Sequence, residues 1–392
     1  MNKNILNTGV QNFIQKNLNT DIVSVLLKKS IFEGVTTKEL VEQLEAKKKC
    51  KNKLPLWYKA NQIYFPNKLN IEQTSSEKTA RYKADIVSGK SLIDLTGGLG
   101  VDSFYFSQKL AAVSHTEIDE NLSKIAAHNF KILETKNIKC IAKNGLNYLA
   151  ENDALFDWIY IDPSRRNETK GKVFFLEDCL PNVPENLDLL FSKSNNILIK
   201  TSPLLDFSVG IQSLKNVKEI HVVAIQNEVK ELLWVLEKNY NKDIEIKTIN
   251  FTKTKTETFS FPLKAEKESI VNYADPLEYL FEPNTAILKS GAFKVVASHY
   301  KIKKLAEHSH LYTSDKQIDF PGRCFRVQKC ISFNKKEIQR SNFNYANITT
   351  RNFPDSVANL RKKFKIKDGG GLYLFFTTNA NNKKLVVVCE KI

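Results

Sequence analysis

Residues 91–103 read Ser-Leu-Ile-Asp-Leu-Thr-Gly-Gly-Leu-Gly-Val-Asp-Ser. The apolar run 92–95 predicts a short buried strand. Gly97, Gly98 and Gly100 predict a tight turn, and a helix is expected over 101–110. Strand, glycine turn and helix in that order let a ligand lie against bare backbone at a helix N-terminus. Asp94 narrows the choice. A carboxylate at the strand end suits a ligand with an ammonium group better than a pyrophosphate. Glycine loops also occur in other α/β proteins, so the turn alone leaves the ligand open.

The rest of the chain builds a repeating pattern around this stretch. Upstream, 1–70 reads as helical. Thr36-Thr37-Lys38-Glu39 has the capping-box form, and Asp21 precedes an apolar run. The basic run 47–53 leads to Trp57 and Tyr58. It suits either a solvated helix end or a nucleic-acid contact. A helix is expected from Glu77, running toward the first strand; it either simply connects or shapes the ligand pocket. Downstream, strands are expected at 113–118, 139–142, 158–161, 197–200 and 219–224. Helices are expected at 121–134, 146–151 and 229–238. Strands alternating with helices imply a mainly parallel sheet with right-handed crossovers. The alternation over 243–262 suits an antiparallel closing pair.

Composition matters mainly for where charge sits. Net charge is +16, and residues 281–392 hold 21 Lys and Arg against 8 Asp and Glu. A basic segment on a near-neutral one points to a polyanion, most simply nucleic acid; a general solubilising bias is the alternative. The texture changes near 265–280. A strand is expected at 322–327. Ser356 is expected to cap a helix with Arg361, Lys362, Lys363 and Lys365 outward and 369–371 ending it. A hairpin is expected from 372–377 and 385–389. The six cysteines include no Cys-x-x-Cys pair, so reduced thiols and no zinc site are expected. No apolar run reaches membrane length and the start lacks a signal core, which predicts a cytoplasmic protein.

In an open parallel sheet, ligands bind at the carboxyl ends of the strands. Those ends supply Asp94, Thr96, Gly97, Gly98 and Gly100, then Glu117 and Ile118 with Asp119, then Asn144-Gly145, then Asp162-Pro163-Ser164-Arg165-Arg166. Glu117 can accept from two ribose hydroxyls, and Asn144 can meet an adenine amine. Individually, Glu117 or Asp119 also reads as a helix cap, Asn144-Gly145 as a turn and Asp162-Pro163 as a strand stop. Together they suit S-adenosylmethionine.

These residues carry a resemblance. Residues 71–240 resemble class I S-adenosylmethionine-dependent methyltransferases. The whole chain is similar to a bacterial group whose C-terminal part is THUMP-like, after an RNA-binding domain. The carrying segments are 72–83, 94–103, Asp162-Pro163-Ser164-Arg165-Arg166 and Lys200-Thr201-Ser202-Pro203. The core is also similar to trimethylguanosine synthase, which methylates an exocyclic amine.

The resemblance implies a Rossmann-like α/β domain with a mostly parallel sheet, a helical region before it and a small basic α+β domain after it. The expected boundaries are 1–70 helical, 71–265 methyltransferase, 266–320 a ferredoxin-like connecting unit and 321–392 THUMP-like. It implies Asp94, Thr96, Gly97, Gly98 and Gly100 around the methionyl part of S-adenosylmethionine, Glu117 on its ribose, and Ile118 and Asn144 on its adenine. Asp162, Pro163, Ser164 and Arg165 would form the catalytic set, with Asp162-Pro163 receiving a nitrogen of an RNA base. RNA would be presented by 281–392, and no metal is called for.

The chain departs from the family pattern after Asp162-Pro163. Amine methyltransferases of this class carry a second proline and an aromatic residue; Ser164 and Arg165 stand here. Arg165 can stack on a base, grip a phosphate with Arg166, or pair with Glu177 or Asp178. Rival readings are a noncatalytic RNA-binding scaffold and a methyltransferase of non-RNA substrates. A nicotinamide enzyme fits poorly, because Ser103 stands where its fingerprint needs a third glycine.

Overall fold

The computed structural model describes residues 1–27, 31–165 and 175–392. Two compact units divide the chain. The first is Met1–Val217 with Trp234–Tyr240, and the second is Lys218–Leu233 with Asn241–Ile392.

The first unit opens with α1 (Thr8–Lys16), α2 (Ile22–Leu26), α3 (Thr37–Lys53), α4 (Pro55–Lys59) and α5 (Lys68–Gln73). Polar caps set the starts. Asp21 accepts from the backbone of Val23 and Ser24, and Thr36 and Glu39 close a capping box. The basic run of α3 fastens α5. Lys49 pairs with Glu72, and Lys53 Nζ donates to the carbonyls of Ile71 at 2.8 Å and Glu72 at 2.7 Å.

Next come α6 (Glu77–Ile86), β1 (Ser91–Asp94), α7 (Val101–Ser107), β2 (Ala112–Thr116), α8 (Glu120–Ile132), β3 (Ile138–Ile141), α9 (Gly145–Glu151) and β4 (Trp158–Ile161). A two-residue ribbon follows, β5 (Ser164–Arg165) with β6 (Cys179–Leu180), then α10 (Leu187–Lys193), β7 (Asn196–Thr201) and α11 (Phe207–Ser213). Every pair in the order β7-β4-β1-β2-β3 is parallel. The central strands are apolar and buried along most of their length, as a sheet covered on both faces requires. Their carboxyl ends share one edge, and the candidate residues sit there.

The second unit contains most of β8 (Val217–Ile225) and the start of β9 (Glu228–Glu237), with β10 (Glu245–Phe251) and β11 (Thr256–Pro262). β10 is parallel to β8 and antiparallel to β11, so the expected closing pair is present. β9 corrects the helix expected at 229–238. Its run Leu232–Leu236 is buried on both faces, and a continuous apolar run does not distinguish strand from helix. The turn before it, Gln226 and Asn227 at φ 50° and 64°, lacks the glycine that announces a tight hairpin.

After α12 (Leu263–Glu268) come β12 (Tyr279–Pro283), α13 (Thr285–Ser290), α14 (Val295–Tyr300), β13 (Lys303–Lys304), β14 (Tyr312–Ser314), β15 (Gly322–Ser332), α15 (Lys335–Arg340), β16 (Asn347–Thr350), α16 (Val357–Phe364), β17 (Leu372–Thr378) and β18 (Lys384–Lys391). Their seven-stranded sheet runs β13-β14-β12-β15-β18-β17-β16. One apolar cluster centres on Ile338, Leu360, Phe376 and Val386, and another on Leu280, Phe325, Phe375 and Val387. Successive residues Phe375 and Phe376, and Val386 and Val387, feed opposite clusters, as the pleat demands. Ser356 caps α16 as expected, but the helix ends at Phe364 with Lys365 at φ 57°, before the glycines. No described helix is long and apolar enough to cross a membrane.

Candidate functional site

Asp94 ends β1 with 1% exposure. It accepts hydrogen bonds from Thr96 N at 3.0 Å and Ser103 Oγ at 2.6 Å. Burial pushes its pKa up to about 7; those two bonds oppose the shift, and Asp102 and Asp162 reinforce it. The turn above it is closed by Gly97 N donating to Thr116 O at 2.8 Å and Gly100 N to Gly97 O at 2.9 Å. Gly100 has φ 86°, and a Cβ there would lie 2.3 Å from the Phe130 ring. At Gly97 a Cβ would lie 2.3 Å from the buried His115 imidazole. Bare backbone is required at both positions.

Glu117 follows β2. One carboxylate oxygen accepts from Gly98 N and the other from Asp119 N, both at 2.8 Å. Asp119 takes the capping role, accepting from Asn121 N at 2.8 Å and Leu122 N at 3.1 Å. Ile118 is 72% exposed, an apolar surface left open next to a polar one. Asn144 is exposed and caps α9, accepting from Asn147 N at 3.2 Å. The neighbouring Gly145 lets α9 start against β1: a Cβ would meet Leu95 O at 2.4 Å. The structure thus brings Asn144 to the strand end already committed to a cap.

Asp162 follows β4, and its backbone N–H donates to Thr96 Oγ1 at 2.7 Å. Its carboxylate pairs with Lys200 of β7; the two side chains are 32% and 14% exposed. Pro163 is buried, Ser164 exposed and Arg165 half-buried, and these last two pair in register with Leu180 and Cys179. Arg166 lies outside the described residues. Among the described residues, no group of three His, Cys, Asp or Glu could hold a metal.

Sequence reasoning missed a buried network under the turn. Lys83 of α6, 0% exposed, sits 3.2 Å from Asp102 of α7. Ser75 donates to Asp102 at 2.7 Å, Tyr160 donates to it at 2.9 Å, and Lys83 donates to Ser75 at 3.0 Å. Burial disfavours charge on Asp102, yet Lys83 and Lys200 with these hydrogen bonds hold its pKa below the ordinary carboxylate value. The available signal was a lysine on the inward stripe Thr79, Ala80, Lys83, Ala84 of α6. Glu77 also accepts from Leu56 N at 3.1 Å, and Arg81 lies over the Tyr105 ring at 5.0 Å. The 72–83 segment therefore braces the helix that follows the glycine turn.

In the second unit, Arg361 is tied down, donating to Ala346 O at 3.2 Å and pairing with Asp368. Lys363 lies 3.6 Å from Asp355 and over the Phe333 ring. Lys362, Lys363 and Lys365 are exposed.

The chain is similar to known proteins. Residues 279–321 match a family described as a ferredoxin-like domain, and 322–391 one described as THUMP domain-like. A curated relative from Mycoplasma mobile, "Uncharacterized RNA methyltransferase MMOB5020", is 29% identical over 160 residues, 39% of this chain. The match spans 42% of that relative's length. A solved structure, described as "Crystal structure of putative methyltransferase from Porphyromonas gingivalis W83", is 33% identical, with TM-score 0.89. The match covers 99% of this chain and 98% of that one. The chain belongs to that protein's family, the class I methyltransferases with a THUMP-like C-terminal domain.

Proposed function

We propose that the chain transfers a methyl group from S-adenosylmethionine to a base of RNA, with an exocyclic amine as the acceptor. The observation that carries this reading is the convergence of Asp94, Gly97, Gly98, Glu117 and Asp162 at the carboxyl edge of three adjacent parallel strands, Asp162 hydrogen-bonded back to Thr96. The residues fit the cofactor. Asp94 is a buried acid for the methionyl ammonium, the turn excludes side chains, Glu117 has two oxygens for ribose hydroxyls, and Ile118 offers an open apolar face for adenine. Asn144 would meet the adenine edge.

S-adenosylmethionine supplies an electrophilic methyl on a sulfonium. The protein's task is placement and charge. Thr96 fixes the acceptor loop against the cofactor turn, which sets the in-line approach. Asp162 and the Pro163 carbonyl accept hydrogen bonds from the amine and stabilise the positive charge that grows on nitrogen. The proton that the methylated nitrogen then gives up passes to solvent water. Lys200 takes one Asp162 oxygen and holds the carboxylate in position. Ser164 and Arg165, fixed on the β5–β6 ribbon, border the base. The RNA reading is supported by the basic excess in 281–392, the THUMP-like match and the name of the curated relative.

The test is calorimetric titration with S-adenosylmethionine of wild type, Asp94→Ala and Glu117→Ala, followed by tritium transfer to RNA from a deletion strain. Binding in wild type, lost in both variants, with label entering RNA, is expected. Absence of binding even with RNA present overturns the reading.

A further inference from the structure

The seven-stranded sheet carries a cationic cluster that methyl transfer does not use. Glu282 of β12 is 3% exposed and lies opposite Arg323 of β15. One of its oxygens takes the Arg323 guanidinium, and the other lies 2.8 Å from Arg351 Nη2. Both arginine side chains remain about one-third exposed, at 35% and 36%.

The Arg323 side chain is held rather than loose. Arg323 lies over the Phe325 and Phe375 rings at 5.4 and 5.9 Å and reaches Thr349 Oγ1 at 3.4 Å. A structural ion pair would be complete with one arginine. The second adds a positive charge at the surface. Lys304, 2% exposed, lies over Phe293, and His310 stacks on the same ring at 3.8 Å. Burial, then the positive charges of Lys304 and Arg351, lower the His310 pKa to about 4, so its imidazole is neutral. Arg351 Nε, Glu282 Oε1 and His310 Nδ1 are buried without a hydrogen-bond partner. Two partly exposed guanidinium groups sharing one buried carboxylate suit an anion that accepts several hydrogen bonds.

We propose that Arg323 and Arg351, held by Glu282, form a fork for one backbone phosphate of RNA. The identity of the polyanion rests on the RNA reading above. The fork itself does not depend on methyl transfer.

The test uses the full chain and a labelled RNA hairpin with a single-stranded 3′ tail, its affinity measured by anisotropy against KCl concentration. Arg323→Gln and Arg351→Gln should each weaken binding on the order of tenfold and lower the slope of log K against log salt by about one. Lys139→Gln, an exposed position on β3, should change neither. Should a glutamine variant fail to fold, Arg323→Lys and Arg351→Lys retain the charge and should keep the slope while losing affinity several-fold. Unchanged affinity and slope in folded variants overturn the fork. Equal tightness and equal loss on a DNA duplex overturn its assignment to RNA. Cofactor titration of the same variants separates the two readings: intact cofactor binding with an unchanged salt slope removes the fork alone, and a changed slope without cofactor binding removes the enzyme reading alone.

Discussion

Thr96 and Asp162 lie 66 residues apart, and the Thr96 hydroxyl accepts the Asp162 backbone N–H at 2.7 Å. This bond joins the turn after β1 to the loop after β4, one proposed for the donor side of the reaction and the other for the acceptor. Thr96→Val removes it while conserving shape. A lost hydrogen bond of about 1 kcal/mol predicts a methyl-transfer rate several-fold lower. The cofactor dissociation constant should move much less, and single-turnover kinetics beside calorimetry separates the two.

Asp162→Ala should cost about 2–4 kcal/mol of transition-state stabilisation, read as a fall in kcat at saturating cofactor. Lys200→Met should lower kcat in the same direction but by less. A Lys200→Met enzyme with wild-type kcat would remove the positioning role given to this lysine.

The raised pKa of Asp94 gives the proposed cofactor binding a pH dependence. An ammonium ligand needs the ionised carboxylate, so affinity should rise as pH increases through about 7. The stability sign is opposite. With its folded pKa above the unfolded value near 4, Asp94 favours the cofactor-free fold at low pH, and that contribution is lost between about pH 4 and 7. Calorimetry and thermal unfolding across pH 5–8 should therefore show affinity rising while cofactor-free stability falls from this group.

Lys83→Met leaves the buried Asp102 without its ammonium and should destabilise by about 3–5 kcal/mol. The double variant Lys83→Met with Asp102→Leu should recover much of that loss. Denaturant unfolding measures both, and a double variant as unstable as the single would show that the pair's hydrogen-bond partners matter more than its charge.

Gly100→Ala should prevent the turn from closing, since it demands φ 86° and places a methyl in the Phe130 ring. Strain of about 1–3 kcal/mol, before the clash is counted, predicts a lower Tm. Calorimetry should show cofactor binding lost as well.

Much of this arrangement was readable from the chain because its signals are local. The capping box at Thr36, the strand-turn-helix at Asp94 and the cap at Ser356 each need only a few neighbouring residues. What escaped depends on residues far apart. The Lys83–Asp102 pair spans 19 positions and the Asp162–Lys200 pair 38, so neither charge revealed its partner. The 229–238 segment escaped because burial on both faces erases the alternation that marks a strand. Arg361, expected to face outward for RNA, is half-buried and pairs with Asp368, whereas Lys363 faces outward as expected beside Asp355; no periodicity encodes where these loop acids approach.

Glu117 holds the Gly98 and Asp119 N–H groups, one on each carboxylate oxygen. In kinetic terms, these internal bonds brace the turn, and under the proposed cofactor assignment a ribose would only have to share the Glu117 acceptor. Stopped-flow binding of S-adenosylmethionine should then be a single phase whose rate grows linearly with concentration. Glu117→Gln, which loses the negative charge yet keeps one acceptor oxygen, should speed dissociation far more than it slows association.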